Sequence, residues 1–346
     1  MANLAWSRAR YAITFAGASV DDRIAPFLMR VEVVLNEEAD ADTATILLSD
    51  TIPGTVPPMP AFALPPKGTP VSIALGAEPA GRTLVFTGFV ETARSRGDRG
   101  GGRSIEIRCT SLDTTSDAKS PKTRHKDGAS LKDAAADFGT AGGLSIEVHA
   151  SLGAITRPYW AMDGESAIGW GRRVAREVGG LFKVVGTHGV IVPKGAGLSA
   201  SRQALSPILV TYGVNVISWD LAPDAGRTPF AEVNSRWYDP AQAKWLEKTI
   251  TVTGGSGSTR QSIRHSRADE AEAGDAATAE GKDQEHEKGG GTVEIDGLAG
   301  AQAGAPVIVA GLHPDIDRTY TAKAVAHALD RARGFVTRIE LARPQG

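Results

Sequence analysis

A mainly β fold interrupted by one α+β segment is what this sequence predicts, on three observations. From Gly291 to Pro344 the chain runs in blocks of four to seven residues rich in Val, Ile, Thr or Tyr, each closed by Gly, Pro or Asp. Short antiparallel strands joined by tight turns have that pattern. Glycine (40) and proline (19) are abundant among the 346 residues while helical runs are few, so turns must be many. A similar strand rhythm fills the chain before Leu112, which puts one β unit at each end.

In the first unit, Tyr11, Ile13 and Phe15 alternate with smaller residues before AlaGlyAlaSer turns the chain. Phe27 to Leu35 sets Val31, Val33 and Leu35 on one face, and Ala44 to Leu48 follows. Pro53, Pro57, Pro58, Pro60, Pro65 and Pro66 then rule out helix or central strand. ThrProValSerIleAlaLeu, LeuValPheThrGlyPheValGluThr and a hairpin from Arg94 to Ser104, ending in IleGluIleArgCys, complete residues 1–112. About six strands at these spacings make a closed barrel or a sandwich.

Residues 113–200 read as a compact α+β module. Ser130 and Asp133 have capping-box spacing ahead of LeuLysAspAlaAlaAlaAspPhe, with Gly139 as the stop. Asp163 is placed to cap a second helix, in which Ala167, Trp170, Val174, Ala175 and Val178 recur at helical spacing up to Gly179 and Gly180. That stripe is core rather than a cofactor pocket. LeuSerIleGluVal, PheLysValVal and GlyValIleValPro supply strands around it. Over 201–346 strands return as AsnValIleSerTrpAspLeu, PheAlaGluValAsnSerArgTrpTyrAspPro and LysThrIleThrValThr, then the terminal blocks. Between Arg264 and Lys288 eight acids stand against four Lys/Arg, interleaved with Ala. Residues 254–290 are therefore expected to be a polar insertion, either a solvated, helical hairpin arm or a partly mobile segment. The two β units share a rhythm of strands and no evident sequence identity.

Composition excludes several function classes. A formal net charge of −2 gives no basic field to attract nucleic acid, and no Lys/Arg cluster is interleaved with aromatics. The single cysteine, Cys109, can form neither an internal disulfide nor a multi-cysteine metal site, and its place in a strand suits a small buried hydrophobe. No run approaches 18 apolar residues, and the first ten residues lack a signal-peptide core, so synthesis in the cytoplasm without membrane insertion is expected.

Candidate chemistry dissolves on inspection. Ser116 and Lys119 match S-x-x-K but lie in a polar run without partner motifs, which reads as a linker. Gly254 to Thr259 resembles a phosphate cradle yet lacks the lysine and the spacing of a P-loop. His313, Asp315 and Asp317 alternate as metal ligands could, but Pro314 and Gly311 make a turn the simpler account. His286 and Glu287 only begin an HExxH pattern, and His327 reads as a satisfied strand histidine. No acid pair sits in apolar surroundings. The expectation is a protein with no catalytic residue, no cofactor and no metal.

Several segments carry a resemblance. GlyAlaProValIleValAlaGlyLeuHisProAspIleAsp, followed by TyrThrAlaLysAlaValAlaHisAlaLeuAsp and GlyPheValThrArgIleGluLeu, resembles the C-terminal signature of the phage late control D family, the baseplate hub proteins of phage tails and contractile injection systems. LysGlyThrProValSerIleAlaLeuGly with PheThrGlyPheVal resembles that family's first barrel. LeuLysAspAlaAlaAlaAspPheGly and the segment from Trp160 to Val184 resemble its middle module, and SerIleArgHisSerArgAlaAspGluAlaGluAla its helical insertion. The pieces cover nearly the whole chain in the right order.

The resemblance implies two tube-type barrels, over 1–112 and 201–346, in a structural virion protein. It implies a homotrimer presenting six similar units to a sixfold tail tube or distal tail protein, and a threefold face to a central spike. Tape measure protein and DNA passing without specific binding are further implied partners, with a lumen that is not strongly basic. A VgrG-type secretion spike shares the hub, and would need an OB domain and β-helix beyond Gly346. A cell-wall-degrading or glycan-binding tail protein is the remaining alternative, and would need an acid pair or an exposed aromatic platform.

Overall fold

The computed structural model describes residues 9–37, 41–52, 54–55, 59–98, 102–113, 117–198, 203–224, 230–253, 255, 257–286 and 289–343, and the chain is mainly β with five helices. The first unit contains β1 (Ala9–Phe15), β2 (Ala18–Ser19), a single helical turn α1 (Asp21–Ile24), β3 (Leu28–Asn36) and β4 (Thr43–Ser49). After the proline-rich loop come β5 (Pro70–Ala77), β6 (Gly81–Asp98) and β7 (Gly102–Thr110). Ala16 and Gly17 both have positive φ, as a tight hairpin turn of the I′ kind requires. The strand order is β3-β4-β7-β6-β5-β1. All six strands feed one core, through Ile13, Val31, Ile46, Ile73, Phe86 and Ile107, so the sheet must curl around it. Cys109 is in that core, where burial first and the nearby Glu91 second push its thiol up to about 12.

The middle module contains β8 (Lys122–Ser130), α2 (Leu131–Ala141), β9 (Ser145–Val148), the turn α3 (Ala150–Gly153), β10 (Thr156–Glu165), α4 (Ala167–Glu177), β11 (Gly180–Val185) and β12 (His188–Pro193). Ser130 caps α2 as its spacing predicts, accepting from the Asp133 N–H. Gly139 does not stop the helix, which runs on to Ala141 with Gly142 as its cap. The glycine is there for packing instead: a Cβ would meet Ile146 Cγ1 at 2.8 Å. Nor does Asp163 cap α4. It lies in β10, and Ser166 accepts from the Gly169 N–H. The Ala, Trp and Val stripe of α4 is core, with Trp170 edge-on to Phe138 at 5.0 Å between ring centroids.

The second unit begins with β13 (Ile208–Thr211) and β14 (Val216–Ala222). The chain then leaves it for β15 (Glu232–Asp239), β16 (Lys244–Thr251), β17 (Arg260–Ser262) and α5 (Glu270–His286), whose strands form a separate three-stranded sheet. It returns as β18 (Gly290–Asp296), β19 (Pro306–Ala310), β20 (Thr319–Asp330) and β21 (Gly334–Ala342). Helix α5 is not the solvated arm its charge suggests. Ala277 packs with Val233 and Val252 as α5 lies on β15 and β16, while the buried Ala279 approaches Gly179 beyond α4. Alanines admit close approach, and the acids beside them are half-buried and paired: Glu272 faces Arg157 and Arg267, and Asp283 faces Lys194.

The two units do not stand apart. β20 pairs along Ala324–Asp330 with β3, so their strands belong to one 13-stranded sheet curled about two cores. Leu35 packs against both.

Candidate assembly surfaces

The second unit has the order β14-β18-β21-β20-β19-β13, the same as the first when strands are matched in sequence order. The match extends to individual residues. In the first unit Phe89 faces Thr110, Val90 faces Cys109, Glu91 is skipped in a bulge, and Thr92 faces Arg108. In the second, Thr321 faces Ala342, Ala322 faces Leu341, Lys323 is skipped, and Ala324 faces Glu340. Pro70 lies opposite Phe89 as Pro306 lies opposite Thr321. A second bulge also coincides. Arg30 pairs with Leu47 and Leu28 with Leu48, skipping Met29, while Ser218 pairs with Glu294 and Val216 with Ile295, skipping Ile217. Gly102 and Gly334, the matching ends of two matching hairpin loops, have φ of +78° and +75°. One strand breaks the rule: β1 runs antiparallel to β5, whereas β13 runs parallel to β19.

This duplication leaves two unmatched edges. β3 gives its outer edge to β20 inside the chain. Its counterpart β14 pairs only with β18, and among the described residues its other edge faces no strand. Likewise β20 is flanked on both sides over Ala324–Asp330, whereas over the matching stretch Thr92–Asp98 β6 pairs, among the described residues, with β7 alone. Apolar side chains concentrate beside the open β14 edge. Leu209, Tyr212, Val214, Ile217 and Trp219 are all exposed, Val214 by 69 %, and Tyr212 and Trp219 meet edge to face at 5.7 Å. Of these, Tyr212 and Trp219 are in contact, and exposed apolar side chains that cluster at a sheet edge suit a docking face.

A second surface lies where α5 and the middle module meet. Glu177 is buried and takes Arg157 at 3.0 Å and Arg267 at 3.1 Å, with Arg173 at 3.3 Å. Burial opposes the Arg173 charge, but Glu165 and Glu177 outweigh it and hold its pKa above the ordinary value. Lys194 reaches Asp283 of α5 at 2.7 Å. The module also ties back to the first unit, where Lys183 of β11 contacts the Asn36 carbonyl and Asp42. These contacts fix the orientation of the insertion and its module.

The residues singled out by chemistry do not converge. Lys119 ends a one-turn 3-10 helix, and Ser116 lies outside the described residues. Gly254 and Ser256 of the glycine-rich run, and Glu287, lie outside them too; His286 is buried at the end of α5, 4.0 Å from Glu37. His313, Asp315 and Asp317 form a turn. The Asp317 carboxylate accepts the N–H groups of Gly311, Leu312 and His313, which outweigh the upward push of desolvation and hold its pKa low. His327 is fully buried, and burial, partly offset by the Ala301 carbonyl, brings it down to about 4. The Ala301 carbonyl can only accept, so the neutral ring carries its proton on Nε2; Nδ1 then accepts from the Thr337 hydroxyl, whose oxygen in turn accepts the Leu298 N–H. Among the described residues no cluster of three metal-ligating side chains forms, and no helix is long and apolar enough to cross a membrane.

No protein-family profile and no curated protein matches the sequence. Solved structures do match. The 43 kDa tail protein of prophage MuSo2 from Shewanella oneidensis is similar over 97 % of this chain and 99 % of its own, with a TM-score of 0.71 and 14 % identity. A tail protein from Neisseria meningitidis MC58 is similar over 97 % of both chains, with a TM-score of 0.69 and 14 % identity. The E. coli c3393 protein, a type VI secretion component described as structurally similar to phage T4 gp27 and gp5, shares 10 % identity over 96 % of this chain and 77 % of its own, with a TM-score of 0.52. Identities so low establish shared architecture rather than shared activity: this chain has the fold of phage tail proteins.

Proposed function

We propose that this chain is the structural hub of a phage-tail baseplate or a related injection particle. Three copies form a ring whose six β units offer near-sixfold symmetry to a tail tube or distal tail protein. The opposite, threefold face receives a central spike, and DNA passes through the ring without specific binding. The division into 1–112, 113–200 and 201–346 belongs to this reading, with the middle module and α5 outside the ring proper. The role is structural and no reaction is assigned to it; the place of action is the virion tail.

One observation carries the reading: two β units of the same strand order and pairing register stand in a single chain, joined through β20 and β3. A chain that repeats its own barrel lets a threefold assembly present six near-equivalent contacts, which resolves a six-to-three mismatch without strained interfaces. The shared fold with phage tail proteins supports it further. Light scattering on the purified chain, alone and mixed with the spike protein encoded beside it, tests the proposal. A trimer is expected, with the spike adding to it; a chain that stays monomeric at high concentration in both conditions sinks it.

A further inference from the structure

The joint inside the chain is a template for a joint between chains. We propose that β14 of one copy adds itself, antiparallel, to the free edge of β6 in the next copy, in a register set by the β20–β3 pairing. Inside the chain His327 faces Val33, Ala328 faces Glu32 and Leu329 faces Val31. Carrying both strands onto their counterparts places Ser95 opposite Leu221 of the neighbouring copy, Arg96 opposite Asp220 and Gly97 opposite Trp219. The inference rests on the ring reading only for closure at three copies.

Three observations converge on this pairing. Among the described residues both edges are open over the stretch concerned and present backbone donors and acceptors, the usual substrate for strand addition. The register brings a cation against an anion: Arg96, exposed and 3.2 Å from Glu106 in the single chain, comes to lie opposite the exposed Asp220 and gains a second, cross-strand carboxylate. The burial of Trp219 is anomalous in the same sense. It occupies the position of Val31, which is completely buried, yet Trp219 is 42 % exposed. Val31 shares its core with Leu329 from the strand opposite, and Trp219 has no such strand beside it in one chain. Gly97, which would lie opposite, leaves room for the indole where the internal joint carries Leu329.

A disulfide test reads the register directly. In the full chain with Cys109→Ala, Ser95→Cys and Leu221→Cys are combined, and a control combines Ser95→Cys with Trp219→Cys. Six strands separate β14 from β6 in the sheet order, so an oxidised link must join two copies. The expected result is near-complete conversion to covalent trimers for the first pair, and several-fold slower linking for the control. Covalent ladders without closed trimers uphold the joint and overturn the trimer. A trimer by light scattering whose first pair fails to link overturns the joint and leaves the hub reading standing. A monomer that never links overturns both. The charge pair gives an independent check: Arg96→Asp or Asp220→Arg should each dissociate the assembly without unfolding the chain, and the two together should restore it. Two single variants that assemble like the parent would count against this register.

Discussion

The two β units share strand order and bulge positions, β1 and β13 differing in direction, yet they differ in surface, and that contrast bears on what each half of the duplication does. Bulges at Glu91 and Lys323, and at Met29 and Ile217, fall at matching places. A bulge adds one unpaired residue and increases local twist. Sharing them means the two sheets bend at the same points, which a mere similarity of strand number does not require. The side chains diverged instead. Where β3 meets β20, Val31 faces Leu329, Val33 faces His327 and Leu35 faces Val325, and all but the half-buried Leu35 are buried. At the matching positions of β14 and β6 stand Trp219, Leu221, Ala93 and Gly97, with Arg96 and Asp220 nearby. The contact made during folding is sealed mainly with aliphatic side chains; under the proposed joint, its copy keeps polar and charged groups that leave it soluble until another copy is met.

Equal cores should respond equally. Ile107 and Ile339 occupy matching positions and are 3 % and 0 % exposed. Truncating either to Ala is expected to cost about 3 kcal/mol. Because β20 joins the sheets, each variant should shift the whole unfolding transition. Denaturant titration followed by fluorescence checks this; a loss confined to half of the signal would mean the units unfold separately.

The next effect belongs to one unit alone. His327 is a fully buried neutral imidazole, whereas its counterpart Ser95 is an exposed hydroxyl. With a folded pKa of about 4 and an unfolded value of 6.5, the unfolded chain binds the extra proton between them. The stabilisation is complete above pH 6.5 and is lost as pH falls toward 4, by up to about 3 kcal/mol. Unfolding free energies measured across this range should therefore drop on acidification, and His327→Gln should flatten that slope. An unchanged slope would place the titrating group elsewhere.

Legibility followed locality. Alternation and turn residues located the strands of the first unit and the end blocks, because burial on one face of a strand writes period two into the sequence. Ser130 was legible as a cap since cap and helix are three residues apart. Most of what escaped depends on distant partners, as Gly139 does on Ile146. The cap of α4 is an exception: Ser166 takes the Gly169 N–H three residues on, a signal as local as that of Ser130, but Asp163 offered a competing acceptor just ahead of it. β13, β8 and β10 went unread because their pairing partners lie far along the chain or carry weak alternation. β15 and β16 read as part of the second unit, yet they pair in a sheet of their own under α5. The open edges were invisible for a simpler reason: an edge is a fact about neighbours, and only the matched registers reveal which neighbour is missing.

Smaller effects sharpen the symmetry further. Gly102 and Gly334 both hold positive φ, and a Cβ built on either meets nothing within 4 Å. Substitution by Ala should therefore cost only the left-handed backbone strain, about 1–2 kcal/mol, and the same at both sites. Unequal losses in thermal unfolding would show that the two hairpins are less alike than their registers.

The smallest change probes the side chain the duplication leaves uncovered. Val31 is sealed, while Trp219 has only Tyr212 and its own sheet beside it. In dilute solution, where light scattering finds single chains, Trp219→Ala should lower the unfolding free energy by about 1 kcal/mol, the scale of one edge-to-face aromatic contact. In the assembled state the same residue faces the next copy, so its removal should weaken association far more than it weakens the fold. A variant that unfolds more readily yet assembles as before would make Trp219 an ordinary core residue, and the match with Val31 would then be complete within one chain.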